Sequence, residues 1–243
     1  MTDARVQTLV QESKFLSSLP REAAEKLAAA ARARVLRPGE YAARAGDPAF
    51  GLAWLHSGLV FIFFEMSDGS RVPYLVAWPS SVSFDGLLGE GQFPASSTAL
   101  TPATFVWITR EVAEEVAGQH PDLMNALFDY AVRQGELRAI WLGRLFSLPL
   151  RSRVRLLLAR MAVEMGQPGE GGRILDFPVS HRTLAIIAQV SRDEVGRAVR
   201  ELLAEEVIER IEGRRFLVPD LRRLLGPSLL ESTVAAGLIP EIR

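Results

Sequence analysis

One face of a predicted helix carries five charged side chains close to its start, and they are Arg192, Asp193, Glu194, Arg197 and Arg200. An arginine can donate two hydrogen bonds to the O6 and N7 atoms of a guanine in the DNA major groove. Such side chains at the start of a helix are typical of a recognition helix, whose N-terminal turns enter that groove. A solvated surface helix also carries charges, so the pattern by itself leaves this simpler interpretation open.

Two short helices joined by a tight turn are predicted to position these side chains, within residues 179–210. Ser180 can cap the first helix, and the turn is expected at Gln189 and Val190. Ser191 and Glu194 have the spacing of a capping box at the start of the second helix. The apolar positions recur at helical spacing, and they are Leu184, Ile187 and Ala188 in the first helix and Val195, Val199, Leu202 and Leu203 in the second.

A β-hairpin is predicted directly after the helix pair. Residues 207–210 and 215–218 read as short strands, and Glu212-Gly213 between them is a turn signal. A helix-turn-helix followed by such a hairpin is a winged helix, and this order favours DNA binding over a plain surface helix.

At these residues the chain resembles the family of the cyclic-AMP receptor protein and the fumarate–nitrate regulator (the CRP/FNR family) of bacterial transcription regulators. Ser191-Arg192-Asp193 and Gly196-Arg197 fall where the cyclic-AMP receptor subgroup has Ser-Arg-Glu and Gly-Arg. The resemblance implies that Arg192, Asp193 and Arg197 contact base edges in TGTGA-like half-sites of a palindromic operator. The predicted DNA-binding set also includes Ser180, His181, Ser191 and Arg200. The implied partners are double-stranded DNA, a second copy of the chain and RNA polymerase.

The chain departs from the family pattern at two positions of this motif. Asp193 is one methylene shorter than the usual Glu, which leaves its base contact in question. Gln189 stands where the family usually has a glycine in the turn. If that position requires a positive φ, Gln189 carries a strain of about 1 kcal/mol that glycine would avoid.

Short apolar or alternating runs separated by Gly, Pro, Asp and Ser extend from Val35 to about Thr109 and predict a β-barrel-like domain. Residues 37–40, 45–49 and 55–60 resemble successive landmarks of the family's β-roll, with Gly58 in a tight turn. The predicted fold class is α+β, with an N-terminal cyclic-nucleotide-binding-like β-roll (a jelly roll), a long central dimerisation helix and a C-terminal winged helix-turn-helix. The predicted boundaries are 1–118 for the roll with its leading helices, 119–149 for the dimerisation helix, 150–225 for the head and 226–243 for a C-terminal extension.

A helix is predicted from His120 to Leu148, before the break at Pro149. Apolar residues recur along it at spacings of four and three, as in a two-stranded coiled coil, although a helix that packs on its own roll would also show an apolar stripe. The predicted dimer interface consists of Leu123, Leu127, Tyr130, Gln134, Leu137, Trp141 and Leu148, and Arg144 occupies the remaining position of the repeat.

Cyclic AMP is not the expected effector. In relatives that bind it, a glutamate holds the ribose and an arginine neutralises the phosphate, whereas this chain has Asp85-Gly86-Leu87 and Pro94-Ala95-Ser96-Ser97 near those places. No Lys or Arg occurs between Arg71 and Arg110, and a buried phosphate needs a charged partner. Apolar residues could instead form a pocket for an uncharged or aromatic effector, or simply fill a core, and they are Tyr74, Trp78, Phe84, Leu87, Leu88, Leu137 and Trp141. The candidate pocket also includes the charged Arg138.

The composition excludes several classes of protein. The 243 residues contain no cysteine, so no disulfide, iron–sulfur cluster or cysteine-bound zinc is possible. Residues 151–225 have 14 arginines and 11 acidic residues, a weakly basic head on an acidic body. No signal peptide or membrane-spanning run is evident, and a cytoplasmic protein is expected.

An enzyme is not expected, because the sequence has no catalytic triad pattern, phosphate-binding loop or metal-ligand cluster, and no cofactor is predicted. Residues 166–172 read as a flexible loop. His56 could bind haem as in gas-sensing relatives, but a histidine in a turn is the favoured interpretation. The alternative function is an effector-binding module for protein contacts that has lost specific DNA binding.

Overall fold

The computed structural model describes residues 3–175, 180–212 and 215–235. The chain divides into two compact units, Met1–Arg133 and Gln134–Arg243, with the division inside the longest helix. No helix in these described ranges is both long and apolar enough to cross a membrane.

The first unit begins with helices that cover a β-roll. They are α1 (Asp3–Gln11), a short 3-10 helix (Leu16–Ser18) and α2 (Arg21–Ala30), which begins directly after Pro20. Eight strands follow, and they are β1 (Arg32–Leu36), β2 (Tyr41–Ala43), β3 (Leu52–Ser57), β4 (Val60–Glu65), β5 (Arg71–Ala77), β6 (Val82–Ser83), β7 (Ser96–Ala99) and β8 (Ala103–Ile108). The short helix α3 (Asp85–Leu88) lies between β6 and β7, and α4 (Arg110–Gln119) and α5 (Pro121–Ser147) follow β8.

The eight strands form two four-stranded antiparallel sheets, in the orders β1-β8-β3-β6 and β2-β7-β4-β5. Both sheets contribute to a small apolar core that contains Leu36, Leu55, Val60, Ala77, Ala99 and Ala103. Gly58 makes the tight turn between β3 and β4 at φ +89°, and a Cβ atom there would lie 2.3 Å from the Pro102 carbonyl oxygen. The predicted β-roll and the role of Gly58 in it are confirmed.

The second unit contains the end of α5 and the head. Its other elements are α6 (Leu150–Met165), β9 (Gln167–Gly169), β10 (Gly172–Leu175), α7 (His181–Ala188), α8 (Arg192–Ala204), β11 (Glu209–Ile211), β12 (Arg215–Val218), α9 (Leu221–Leu225) and α10 (Pro227–Ala235). The four strands form one antiparallel sheet in the order β11-β12-β10-β9. The predicted fold class, a β-roll followed by a long helix and a winged helix-turn-helix, is confirmed.

The prediction of a flexible loop at residues 166–172 is wrong. Gly169 pairs with Gly172, so the segment is a β-hairpin with Glu170-Gly171 at its tip. Gly171 has φ +82° and Gly172 φ +148°. Glycine is favoured in hairpin turns because it adopts a positive φ without steric cost, so here the glycines mark a turn and not disorder.

The helix α5 confirms the predicted long helix but corrects the predicted contacts along it. Leu123 and Leu127 are fully buried and Tyr130 is nearly so, in a core with Phe15 and Trp54 of the same chain. Trp141 is also buried, and the guanidinium carbon of Arg160 in α6 lies 4.2 Å from its ring centroid. These four residues are covered within their own chain, so they cannot form an interface with a second copy.

A different stripe of α5 remains uncovered. Phe128, Val132 and Phe146 are 65%, 44% and 43% exposed. Gly135 and Ala139 are exposed between them, and Leu142 is half-buried. Together the six positions repeat at spacings of four, three, four, three and four, which is a heptad pattern. The stripe lies two residues out of phase with the predicted interface, on the opposite side of the helix.

Candidate nucleic-acid interface

The helix pair α7 and α8 has the predicted caps. The Ser180 hydroxyl oxygen accepts a hydrogen bond from the Thr183 amide at 3.0 Å. At α8 the Ser191 hydroxyl oxygen accepts from the Glu194 amide at 3.3 Å, and the Ser191 amide donates to the Glu194 carboxylate at 2.9 Å. These bonds to Ser191 lower the pKa of Glu194, which keeps the capping carboxylate charged. The capping box is confirmed, and it fixes the start of α8.

The turn between the helices has the strained backbone that the sequence suggested. Gln189 ends α7 with φ 53° and ψ 51°, in the left-handed region. Its amide donates to the Ala185 carbonyl oxygen, and the Val190 amide donates to the same oxygen at 3.2 Å. The position therefore requires the conformation that glycine adopts without cost, and here a glutamine adopts it.

The exposed face of α8 carries the four charged residues from which DNA contact was inferred. Arg192, Asp193, Arg197 and Arg200 are all exposed. The opposite face is buried in the head and consists of Val195, Gly196, Ala198, Val199 and Leu202. Because the buried face fixes the rotation of α8, the four charged side chains are directed away from the protein.

His181 lies at the start of α7, next to the same charged face. Its Nδ1 atom would lie 3.4 Å from a Cβ atom built on Gly196, so α7 and α8 approach closely here. Burial lowers the pKa of His181 below its usual value, and the positive charges of Arg210, Arg192 and Arg200 lower it further. Arg210, in β11, was not among the predicted DNA-binding residues, because only the folded hairpin brings it near α7.

The hairpin β11–β12 confirms the wing. Its first strand begins at Glu209 and not at Val207, because Val207 still belongs to the turn that ends α8, where its amide donates to the Leu202 carbonyl oxygen at 3.2 Å. Gly213 at the predicted turn lies outside the described residues, as does Val179 at the start of the predicted helix pair. Phe216, in the second strand of the wing, is buried.

Charged residues of α6 support the helix pair from behind. Arg155 donates to the Glu205 carboxylate at 2.5 Å and to the Leu224 carbonyl oxygen at 3.0 Å. Arg151 forms a second ion pair with Glu205. These bonds join α6 to the end of α8 and to α9. Sequence spacing gave no sign of them, because their partners lie 50 to 69 residues apart.

Within the first unit, the residues suggested for an effector pocket do not all belong to one core. Tyr74 is 52% exposed, Trp78 is buried, and Leu87 packs at the edge of the helical core. Phe84 is partly buried and packs against the rings of Phe15 and Tyr130 of the helical core, at centroid distances of 6.2 Å each. The Leu88 side chain lies outside the described residues, and the remaining three, Leu137, Arg138 and Trp141, belong to the second unit.

The segment near which the resemblance places a phosphate-binding arginine is neutral and already hydrogen-bonded. Ser96 is fully buried, its hydroxyl oxygen accepts from the Ala45 amide at 3.1 Å, and the hydroxyl donates to the Glu65 carboxylate at 3.2 Å. Arg71 lies 3.6 Å from Glu65 and donates to the Tyr41 hydroxyl at 2.7 Å. The Arg71 guanidinium is therefore engaged by a carboxylate and a phenol.

His56 lies in β3, and its Nε2 atom is 3.5 Å from the Glu12 carboxylate. Within the described part of the chain, no three His, Asp or Glu side chains are grouped so that they could hold a metal ion.

Comparisons with known proteins agree with this architecture. Residues 152–226 match the family model described as the Crp-like helix-turn-helix domain. A search of curated protein sequences gives no match.

Solved structures similar to the chain include a CRP-family transcriptional regulator from Thermus thermophilus, with a TM-score of 0.64 and 21% identity over 81% of this chain and 98% of that one. FixK2 from Bradyrhizobium japonicum is similar at a TM-score of 0.63 and 21% identity, over 80% of this chain and 95% of that one. The c-di-GMP-responsive global regulator CLP from Xanthomonas campestris has a TM-score of 0.60 and 21% identity, over 83% of this chain and all of that one. At these identities the likeness shows a shared fold.

Proposed function

We propose that this chain is a homodimeric transcription regulator that binds DNA sequence-specifically. The proposal starts from two findings: residues 152–226 match the Crp-like helix-turn-helix domain, and the chain has the fold of the CRP-family regulators. The observation that carries the proposal is the exposed face of α8. A capped, rigidly packed helix presents three arginines and an aspartate at its start, beside a wing. Electrostatic attraction to phosphates supplies affinity, and contacts with base edges supply specificity.

Arg192 and Arg197 are the proposed base-reading residues. Each would donate two hydrogen bonds to a guanine, and one such pair contributes about 1–3 kcal/mol of discrimination against the wrong base. Asp193 would read a neighbouring base, with a shorter reach than the glutamate of the related motif. Ser180, His181 and Arg200 flank this set and would contact the phosphate backbone, which orients the head on the duplex.

Dimerisation is proposed through the exposed stripe of α5. A palindromic operator is read in two successive major grooves about 34 Å apart, which requires two heads. Apolar residues at heptad spacing, uncovered over five turns, are an aggregation liability unless a second helix covers them. Parallel pairing would place Phe128, Val132 and Phe146 against their counterparts in the second copy. It would also place the two Pro149 residues, where the heads begin, at the same level of the coil.

The effector that would control DNA binding is proposed to be something other than a cyclic nucleotide, because no Lys or Arg occurs between Arg71 and Arg110, the stretch in which the resemblance places the phosphate-binding arginine. Contact with RNA polymerase is proposed from the resemblance alone.

Selection of DNA from a random duplex library tests the proposal. The wild-type chain should enrich a palindrome with TGTGA-like half-sites, and its affinity should fall steeply with salt. Arg197→Ala should relax the preference at one base pair in each half-site, by about tenfold. Arg32→Ala removes the same charge from strand β1 of the first unit and serves as the control.

Two outcomes would contradict the proposal. If Arg197→Ala weakens binding equally for every sequence, Arg197 contacts only phosphate. If the wild-type chain enriches no sequence at all, the alternative of a protein-interaction module without specific DNA binding is favoured.

A further inference from the structure

Arg153, in the first turn of α6, bonds to the C-terminal ends of two other helices. Its Nε atom donates to the Leu148 carbonyl oxygen at 2.8 Å, and Nη2 donates to the Phe146 carbonyl oxygen at 3.1 Å. Both acceptors lie at the end of α5. Its Nη1 atom reaches the Ala188 carbonyl oxygen, at the end of α7, at 3.4 Å. All these residues belong to the second unit, within its described part.

These carbonyl groups need a partner for a physical reason. The last carbonyl oxygens of a helix have no amide one turn later to bond to, and the partial negative charge at a helix C-terminus favours a cation there. One planar guanidinium has five N–H donors in a fixed geometry, so it can bond several acceptors that lie in different directions. A lysine ammonium is a compact donor and cannot span both helix ends in this way.

Arg153 also spans the short connection between α5 and α6. Only Leu148 and Pro149 separate α5 from α6, and Pro149 provides no side-chain cap for α6. The Arg153 guanidinium folds back over this junction and lies 5.8 Å from the Phe146 ring centroid. On its other side it contacts the residue before Gln189, at the turn that leads into α8.

We propose that Arg153 is the positioning residue that fixes the orientation of the helix pair α7–α8 relative to the end of α5. In the dimer, this orientation sets how far apart the two α8 helices lie, so Arg153 determines which half-site spacing the protein accepts. The effect on operator spacing rests on the proposed function, whereas the hydrogen bonds of Arg153 lie within one chain.

The test compares Arg153→Met, Arg153→Lys and the control Arg144→Met. Arg144 is exposed near the end of α5, so its replacement removes the same charge from the same region without affecting the bridge. Affinity is measured for operators whose half-site separation is changed by one base pair at a time, and for operators with one altered base in a half-site.

The wild-type chain and Arg144→Met should prefer one spacing by about tenfold or more over its neighbours, since each added base pair rotates and displaces a half-site. Both Arg153 variants should accept the neighbouring spacings within about threefold, because the heads are no longer held at one angle. Their discrimination at a single altered base should be unchanged, because the capped helix α8 is intact. A parallel loss of affinity at every spacing, or an unchanged preference, would overturn the proposal.

Amide hydrogen exchange of the DNA-free protein tests the bridge independently. In both Arg153 variants, the amides at the end of α5 (146–148) and after α7 (189–190) should exchange faster together, and in Arg144→Met they should not. Faster exchange at one end only, or at neither, would show that Arg153 does not join the two helices. This measurement does not depend on DNA binding. If the wild-type chain selects no operator, the proposed function is contradicted, but the proposed role of Arg153 in joining the two helices can still be tested. Arg153→Lys keeps the test valid if Arg153→Met fails to fold.

Discussion

At the scale of single residues, Gln189 gives the most direct test of local strain. It holds a left-handed backbone conformation, φ 53°, that costs a non-glycine residue about 1 kcal/mol. Gln189→Gly should therefore raise the free energy of unfolding by about 0.5–1 kcal/mol, since the relief of strain exceeds the added entropy of the unfolded chain. Urea denaturation of the full chain, followed by circular dichroism, measures it.

Gln189→Ala is the matched control, because alanine meets the same steric cost and should give no gain. If the glycine variant is no more stable than the alanine variant, then the backbone at this turn is not strained. Operator affinity should be the same for all three proteins, because the Gln189 side chain is not among the proposed DNA contacts.

At the scale of elements, α5 shows how an apolar pattern can be correct in period and wrong in phase. The helix has apolar residues on two faces. The face with Leu123, Leu127 and Tyr130 packs into the core of its own chain, where the Tyr130 hydroxyl donates to the Ser80 carbonyl oxygen at 2.7 Å. The face with Phe128, Val132 and Ala139 is exposed. The sequence contains both stripes, and only packing decides which one is left for a partner.

Two neighbouring substitutions separate these faces. Ala139→Glu places like charges against each other in the proposed dimer seam, where they would be desolvated, and should give a folded monomer. Leu137 is 41% exposed but lies on the other side of α5, so Leu137→Glu should leave the dimer intact. Light scattering at several protein concentrations measures both.

A dimeric Ala139→Glu protein, or a monomeric Leu137→Glu protein, would exclude the exposed stripe as the interface. The operator affinity of the monomer should fall with its loss of dimerisation, because a single head reads only one half-site.

At the scale of the whole molecule, the roll has a cyclic-nucleotide-binding-like fold but no basic residue in the stretch where the resemblance places the phosphate-binding arginine. No Lys or Arg occurs from Val72 to Thr109, and Arg71 is paired with Glu65. An unpaired phosphate in this interior would cost several kcal/mol of desolvation. Cyclic AMP should therefore neither bind at micromolar concentration nor change operator affinity.

Isothermal titration calorimetry with cyclic AMP measures the binding, and a titration of operator with and without the nucleotide measures the coupling. Micromolar binding would mean that Arg138, or an arginine of a second copy, neutralises the phosphate.

The sequence alone determined the features that depend on local spacing. The caps Ser180 and Ser191, the turn at Gln189, the wing and the length of α5 follow from hydrogen-bonding side chains, turn residues and apolar period within about ten residues of one another. For the same reason the charged face of α8 was predictable, because its buried stripe fixes which residues point outward.

Only the tertiary structure decided the features that depend on distant contacts. Packing brings together the groups that decide four features: the free face of α5, the contacts of Phe84 and Trp141, the position of Arg210 beside His181 and the bridge of Arg153. The same holds for the glycines of residues 166–172. Glycine permits the positive φ of a hairpin turn, but only the pairing of β9 with β10 distinguishes a hairpin from a flexible loop. The type of a residue limits the contacts that it can make, and the free energy of the whole packed chain determines which of them is made.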